Sequence, residues 1–190
     1  MKIKTLLCTL TAVLMSLTSC AQKKGTEMTE KSNGNVLVAY FSATGNTRRA
    51  ATQLADVVGA TLHEIIPEKR YTDSDLDWND PTSRSYVEMH NGESRPAIAN
   101  KVENMADYDT VFIGFPIWWY VAPTIINTFI ESTDLKGKTV VCFATSGGSP
   151  VKPCVDALKK QYPDINWAEG KLLNSISRKD LQDWKVKLGI

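Results

Sequence analysis

The stretch Ser42-Ala43-Thr44-Gly45-Asn46-Thr47 places hydroxyls, a glycine and an amide directly after the apolar run Val36–Phe41 and ahead of the first charge, at Arg48. Such side chains donate hydrogen bonds without carrying charge. If a strand ends at Phe41 and a helix begins near Asn46, the loop's N–H groups face outward at the positive end of the helix dipole. Gly45 would permit a left-handed turn or a close backbone approach. That chemistry suits a phosphate held by neutral donors, and it equally suits a helix cap with no ligand. Other phosphate chemistries are excluded: no GxxxxGK[ST] and no GxGxxG occurs. No cysteine leads the loop, so it is no thiolate loop of a small phosphatase. The third strand-like run ends in Gly114-Phe115 rather than an aspartate, which argues against a phosphate-accepting receiver.

Two more loops have unusual residue types. Pro116-Ile117-Trp118-Trp119-Tyr120 sets three large aromatics side by side after an apolar run. They cannot all point inward from a loop, so they offer a stacking wall for a flat ligand, a patch for a partner, or simple packing. Thr145-Ser146-Gly147-Gly148-Ser149 follows the apolar run Thr139–Ala144 and reads either as backbone donors for a ligand edge or as a flexible turn. Taken together, the loops fit one ligand. The phosphate sits on the first, a planar ring lies against the second, and polar ring atoms are read by the third. Flavin mononucleotide (FMN) has that shape.

The elements that must position these loops alternate along the chain. Val36–Phe41 is a continuous apolar run, as in a central parallel strand covered on both faces. Asn46–Val58 carries apolar residues at helical spacing and stops at Gly59; Thr61–Ile66 reads as the next strand. Residues 68–100 break the pattern as a long polar insertion with Asp73, Asp75, Asp77 and Asp80, read chiefly as a solvated face, with a short helix around Ser83–Met89. Strands at Thr110–Gly114, Thr139–Ala144 and, more weakly, Trp167–Leu173 alternate with helices from Pro123, across Val151–Tyr162, and after a Ser177/Asp180 cap. Five strands alternating with helices predict an α/β doubly wound parallel sheet with helices on both faces, and ligands bind such sheets where strands end.

The 190-residue chain has the length and ordinary composition of one globular domain. Its start differs: Lys2 and Lys4 precede a short uncharged stretch ending at Leu17-Thr18-Ser19-Cys20. Residues 1–19 read as a secretory signal, with an apolar length short of a membrane span. The terminal motif resembles a bacterial lipoprotein signal, which implies cleavage before Cys20 and a lipid on that cysteine. Residues 20–34 are polar and read as a tether, leaving 35–190 as the folded domain. Removing 1–19 takes away two lysines and no acid, moving the formal charge from +1 to −1. No basic stripe suggests nucleic acid. His63 and His90 lack ligand spacing and no CxxC occurs, which argues against a metal; Cys142 and Cys154 read as two small buried residues, with a disulfide between them as the alternative.

The "SATGNT" loop resembles the phosphate loop of the flavodoxins, and the "PIWWY" and "TSGGS" runs resemble that family's two flavin-ring loops. The segments Tyr71–Asp80 and Ser94–Ile98 are similar to a flavodoxin-like subgroup of bacterial lipoproteins. The resemblance covers residues 35–190 and implies a five-stranded flavodoxin-like sheet of order 2-1-3-4-5. It implies that Ser42, Thr44, Gly45, Asn46 and Thr47 hold the FMN phosphate. Pro116, Trp118, Trp119 and Tyr120 would then flank the ring, and Thr145, Ser146, Gly147 and Gly148 would border its pyrimidine side. Ala43 stands where the family often has a further hydroxyl. Soluble flavodoxin shuttles are strongly acidic and this domain is not, which favours an oxidoreductase passing electrons to a small acceptor such as a quinone. A non-catalytic carrier, or a module that has lost FMN, remain the alternatives. No catalytic acid or base is assigned. The implied setting is the bacterial cell envelope, lipid-anchored to a membrane outside the cytoplasm.

Overall fold

The computed structural model describes residues 35–190. The signal segment, the tether and Cys20 lie outside the described residues. Along the chain run β1 (Val36–Tyr40), α1 (Asn46–Val58), β2 (Thr61–Glu64), α2 (Arg84–Met89), β3 (Thr110–Pro116), α3 (Thr124–Ser132), β4 (Thr139–Thr145), α4 (Val151–Gln161), β5 (Asn166–Trp167), β6 (Lys171–Leu172) and α5 (Arg178–Leu188). Every strand pairing is parallel, in the order β2-β1-β3-β4-β5, with β6 also on β4. The single weak strand expected at Trp167–Leu173 is two short pieces, both hydrogen-bonded to β4. Gly170 lies between them, and a Cβ there would meet Val155 Cγ2 at 2.8 Å and the Cys142 carbonyl at 3.0 Å, so the chain passes too close to α4 and β4 for a side chain.

Why the central strands are apolar throughout is visible in their alternation. Leu37, Ala39, Val111, Ile113, Val140 and Cys142 pack with Ile125, Ile126 and Phe129 of α3 and with Cys154, Val155 and Leu158 of α4. Val38, Tyr40, Phe112, Val141 and Phe143 pack on the other face with Ala51 and Leu54 of α1 and with Leu181 and Trp184 of α5. Successive strand residues point to opposite faces, so a sheet covered twice needs apolar residues at both parities. Gly114 lies in the middle of this packing. A Cβ there would fall 2.1 Å from Phe143 Cζ, so the glycine gives the neighbouring ring its place.

Helix ends follow local chemistry. Gly59, at φ 74°, closes α1 and its N–H bonds the Ala55 carbonyl. Ser177 and Asp180 form a capping box at α5, and Ser83 caps α2 by accepting from the Tyr86 N–H. The insertion is bound to the sheet rather than loose. Asn100 accepts from the Ile66 N–H at 3.0 Å and donates to the Glu64 carbonyl at 2.7 Å, while Glu68 and Ala99 N–H groups bond the carbonyls of Ala97 and Ile66.

Candidate functional site

The strand order reverses between β1 and β3, so α1 leaves towards one face and α3 towards the other, and a crevice opens between their loops. On the β1 side Gly45 stands at φ 89°, a left-handed conformation that costs a β-carbon-bearing residue about 1–2 kcal/mol. Its N–H donates to Ser42 Oγ at 3.1 Å, so Ser42 shapes the turn from within. The first intrahelical bond runs from the Arg49 N–H to the Gly45 carbonyl, which leaves the N–H groups of Asn46, Thr47 and Arg48 at the open end of a 13-residue helix.

Thr47 behaves differently from its neighbours. Its side chain is 1% exposed and its hydroxyl bonds the Thr145 hydroxyl at 2.8 Å. This pair, with the Ile117 N–H on the Thr145 carbonyl at 2.8 Å, ties the loops after β1, β3 and β4 into one frame. A buried neutral hydrogen bond of this kind contributes about 1 kcal/mol.

After β3, Trp118 and Val121 exchange both backbone hydrogen bonds, at 3.1 and 3.0 Å, around a two-residue turn. Trp119 and Tyr120 occupy that turn at φ 43° and 67°. Two-residue hairpins with both centres left-handed normally take Asn and Gly; aromatic residues there store strain, a feature that clusters at functional sites. The three aromatics fan apart. Trp118 lies edge-on to Phe41 and Tyr71, with centroids 5.6 and 5.4 Å away. Trp119 meets Tyr86 and His90 of the insertion at 5.8 and 5.6 Å. Tyr120 is 71% exposed, and its carbonyl accepts from the Cys154 thiol at 3.0 Å.

The loop after β4 is held by its own side chains and by a distant amide. Ser146 Oγ accepts from the Gly148 and Ser149 N–H groups at 3.1 and 2.7 Å, so the Gly148 N–H is already engaged. Asn174 accepts from the Ser146 N–H at 2.8 Å and donates to its carbonyl at 2.5 Å.

Two clefts lie side by side on this framework and share Thr44, Pro116, Ile117 and Trp118. The smaller, of about 350 Å³, is lined by Asn46, Thr145, Ser146 and Gly147, with Arg49, Leu173 and Asn174. The larger, of about 480 Å³, is lined by Trp119, Tyr120 and Ser149, with Leu76, Trp78 and Ser85 of the insertion. Ser42, Gly45, Thr47 and Gly148 line neither; they set the loop shapes. Sequence reasoning missed Arg49, whose guanidinium bonds Asn46 Oδ1 at 3.4 Å, and the insertion wall. Helical spacing was the available signal for Arg49: Arg48 instead turns to Glu64 on β2.

The insertion's acidic residues mostly serve local turns. Asp75 accepts from the Thr72 N–H and hydroxyl, both at 2.9 Å, and Asp80 from the Thr82 N–H and hydroxyl at 2.8 and 2.7 Å. These bonds hold both carboxyls below the usual range. Beneath them, burial and the adjacent Glu88 push the Tyr71 phenol up. Arg84 lies 4.0 Å over the Tyr71 ring and pairs with Glu88 at 2.6 Å. Among the described residues no carboxylate or histidine lines either cleft.

A family model described as flavodoxin matches residues 35–188. A crystal structure of a candidate flavoprotein from Bacteroides eggerthii DSM 20697 is 56% identical, covering 82% of this chain and 98% of its own at a TM-score of 0.81. A second, from Bacteroides uniformis ATCC 8492, is 55% identical, covering 81% and 98% at 0.78. The Lactobacillus acidophilus NCFM flavoprotein, crystallised in complex with FMN, is 22% identical, covers 75% and 95%, and superposes at 0.61, which shows a shared fold. No match was found among the curated proteins.

Proposed function

The chain belongs to the flavodoxin family, and from that premise we propose that its paired clefts hold FMN and that it is an oxidoreductase passing electrons to a small acceptor such as a quinone. The observation that carries this reading is the open N-terminus of α1, with Thr44 and Asn46 lining a cleft that shares Thr44, Pro116, Ile117 and Trp118 with an aromatic one. The donor set fits the group. A phosphate dianion takes outward N–H groups at a helix N-terminus, with Arg49 adding charge. A planar ring takes Pro116, Trp118 and Trp119, and the ring's polar edge takes the donors around Thr145, Ser146 and Gly147. The Lactobacillus protein's complex with FMN supports the choice of nucleotide.

When bound, the flavin supplies the electron-transfer chemistry. The protein's part is to bind, orient and exclude water. Thr47 and Thr145 lock the loops that frame the ring. Trp118, held by Phe41 and Tyr71, presents a fixed indole.

The near-neutral charge after loss of residues 1–19 supports a small acceptor over a basic protein partner. The lipoprotein-type motif at Cys20 supports anchoring at the bacterial cell envelope, on a membrane outside the cytoplasm. Mass analysis of the mature N-terminus tests it: a diacylated Cys20 supports the anchor, and a chain beginning elsewhere overturns it. For the cofactor and reaction, the test is the visible spectrum of purified protein, identification of the released nucleotide, and nicotinamide-driven quinone turnover. FMN with turnover supports the proposal. FMN that exchanges electrons only with a protein partner identifies a carrier, and a colourless protein that takes up no FMN ends the flavin reading.

A further inference from the structure

Buried hydroxyls are paired in nearly all native structures. Among the described residues the hydroxyls of Ser85, Thr124 and Thr128 are buried without a partner. Of these, Ser85 lines the large aromatic cleft, and it is only 2% exposed. It sits in the first turn of α2, where Ser83 already provides the cap, so Ser85 is free of that duty.

Its position is fixed from both sides. Arg84 is held by Glu88 at 2.6 Å, by the Lys69 carbonyl at 2.6 Å and by the Tyr71 ring. Tyr86 stacks on His90 with centroids 3.8 Å apart. Arg84's bond to the Lys69 carbonyl, its place over the Tyr71 ring and the Tyr86 contact with Trp119 tie α2 to the segments around the cleft. Around it stand Leu76, Trp119, Tyr120 and Trp78, the last 68% exposed at the rim.

The inference rests on the FMN reading above. In that reading the ring's polar edge belongs to Thr145, Ser146 and Gly147 in the smaller cleft. The methylated carbocycle at the far end of the ring carries no hydrogen-bonding atom, so a hydroxyl facing that end finds no partner on it. We propose that Ser85 determines acceptor specificity. Its hydroxyl donates a hydrogen bond to a carbonyl oxygen of a neutral, planar, quinone-class molecule held among Leu76, Trp78 and Tyr120. Among the described residues no charged side chain lines the large cleft, so an acceptor bearing phosphate finds no counter-charge among them.

The full-length chain and its Ser85→Ala variant, both loaded with FMN, are titrated calorimetrically with 1,4-naphthoquinone and with naphthalene, which matches its ring shape without carbonyls. FMN affinity is measured on each protein in parallel by absorbance. The variant is expected to bind naphthoquinone about fivefold to tenfold more weakly, with naphthalene and FMN affinities unchanged; retained FMN affinity also reports an intact fold. Equal naphthoquinone affinity in the two proteins overturns the proposal while leaving the flavin reading standing. A fall in FMN affinity on Ser85→Ala also overturns it, since the hydroxyl then serves the flavin. A wild type that takes up no FMN overturns both.

Discussion

His63 stands on β2 with its ring 6.4 Å from Phe129 and Asn100 at 3.4 Å, and burial pulls its pKa below the ordinary 6.5. The unfolded chain therefore binds a proton at higher pH than the native one. This contribution to stability is full above the unfolded value of 6.5 and is lost as pH falls through the folded value. Thermal melts should show Tm declining below about pH 6.5, and His63→Phe should flatten that decline. The carboxylates held low, such as Glu131 beside Arg95, act only nearer pH 4 and so leave the window to histidine. Burial also pushes the thiols of Cys142 and Cys154 up to about 12 and 11. Both should resist alkylation at neutral pH in the folded protein and react once it is unfolded, as peptide mapping would read. Residue types were legible at this scale; directions were not. Thr47 carries the hydroxyl that a phosphate loop calls for, yet the structure turns that hydroxyl to Thr145. Only the spatial neighbour, 98 positions away, decides which way it faces.

At the scale of elements, the helices and central strands could be read because each states its burial locally. Asn46–Val58 has the same bounds in sequence and structure, since its apolar spacing and Gly59 are complete within the segment. Loop anchors were not readable in this way. The loop after β4 depends on Asn174, 28 residues on, and the insertion's register depends on Asn100, 36 residues after Glu64. The turn at Trp119-Tyr120 carries left-handed strain that no local rule forecasts for aromatics. Tyr120 is largely solvent-exposed, so Tyr120→Gly gives up little packing and relieves the strain. Urea unfolding should find the variant more stable by about 1 kcal/mol. A loss of stability would mean that the ring, not the backbone, holds the turn.

For the molecule as a whole, the doubly wound parallel sheet was legible because alternating apolar runs and helical stripes admit few topologies, while the order β2-β1-β3-β4-β5 was implied by the resemblance of the loops to the flavodoxins. The wall contributed by residues 68–100 was not. Its polar composition signals solvation, and the Arg84–Glu88–Tyr71 cluster that fixes Ser85 and its surroundings forms only in three dimensions. The near-neutral formal charge of the chain, +1, has a kinetic consequence. Turnover of a neutral quinone by the FMN-loaded protein should change less than about twofold between about 20 and 200 mM salt. A steep fall would instead indicate docking to a charged protein.

The central claim is that the α1 N-terminus grips the phosphate of a flavin nucleotide. Titrating cofactor-free protein with FMN and with riboflavin isolates that grip, because the two ligands differ by the phosphate alone. FMN is expected to bind at least about 100-fold more tightly, and a Thr44→Val, Asn46→Leu double variant should erode FMN affinity while leaving riboflavin affinity as it was. Riboflavin binding as tightly as FMN, or neither ligand binding, would contradict the account.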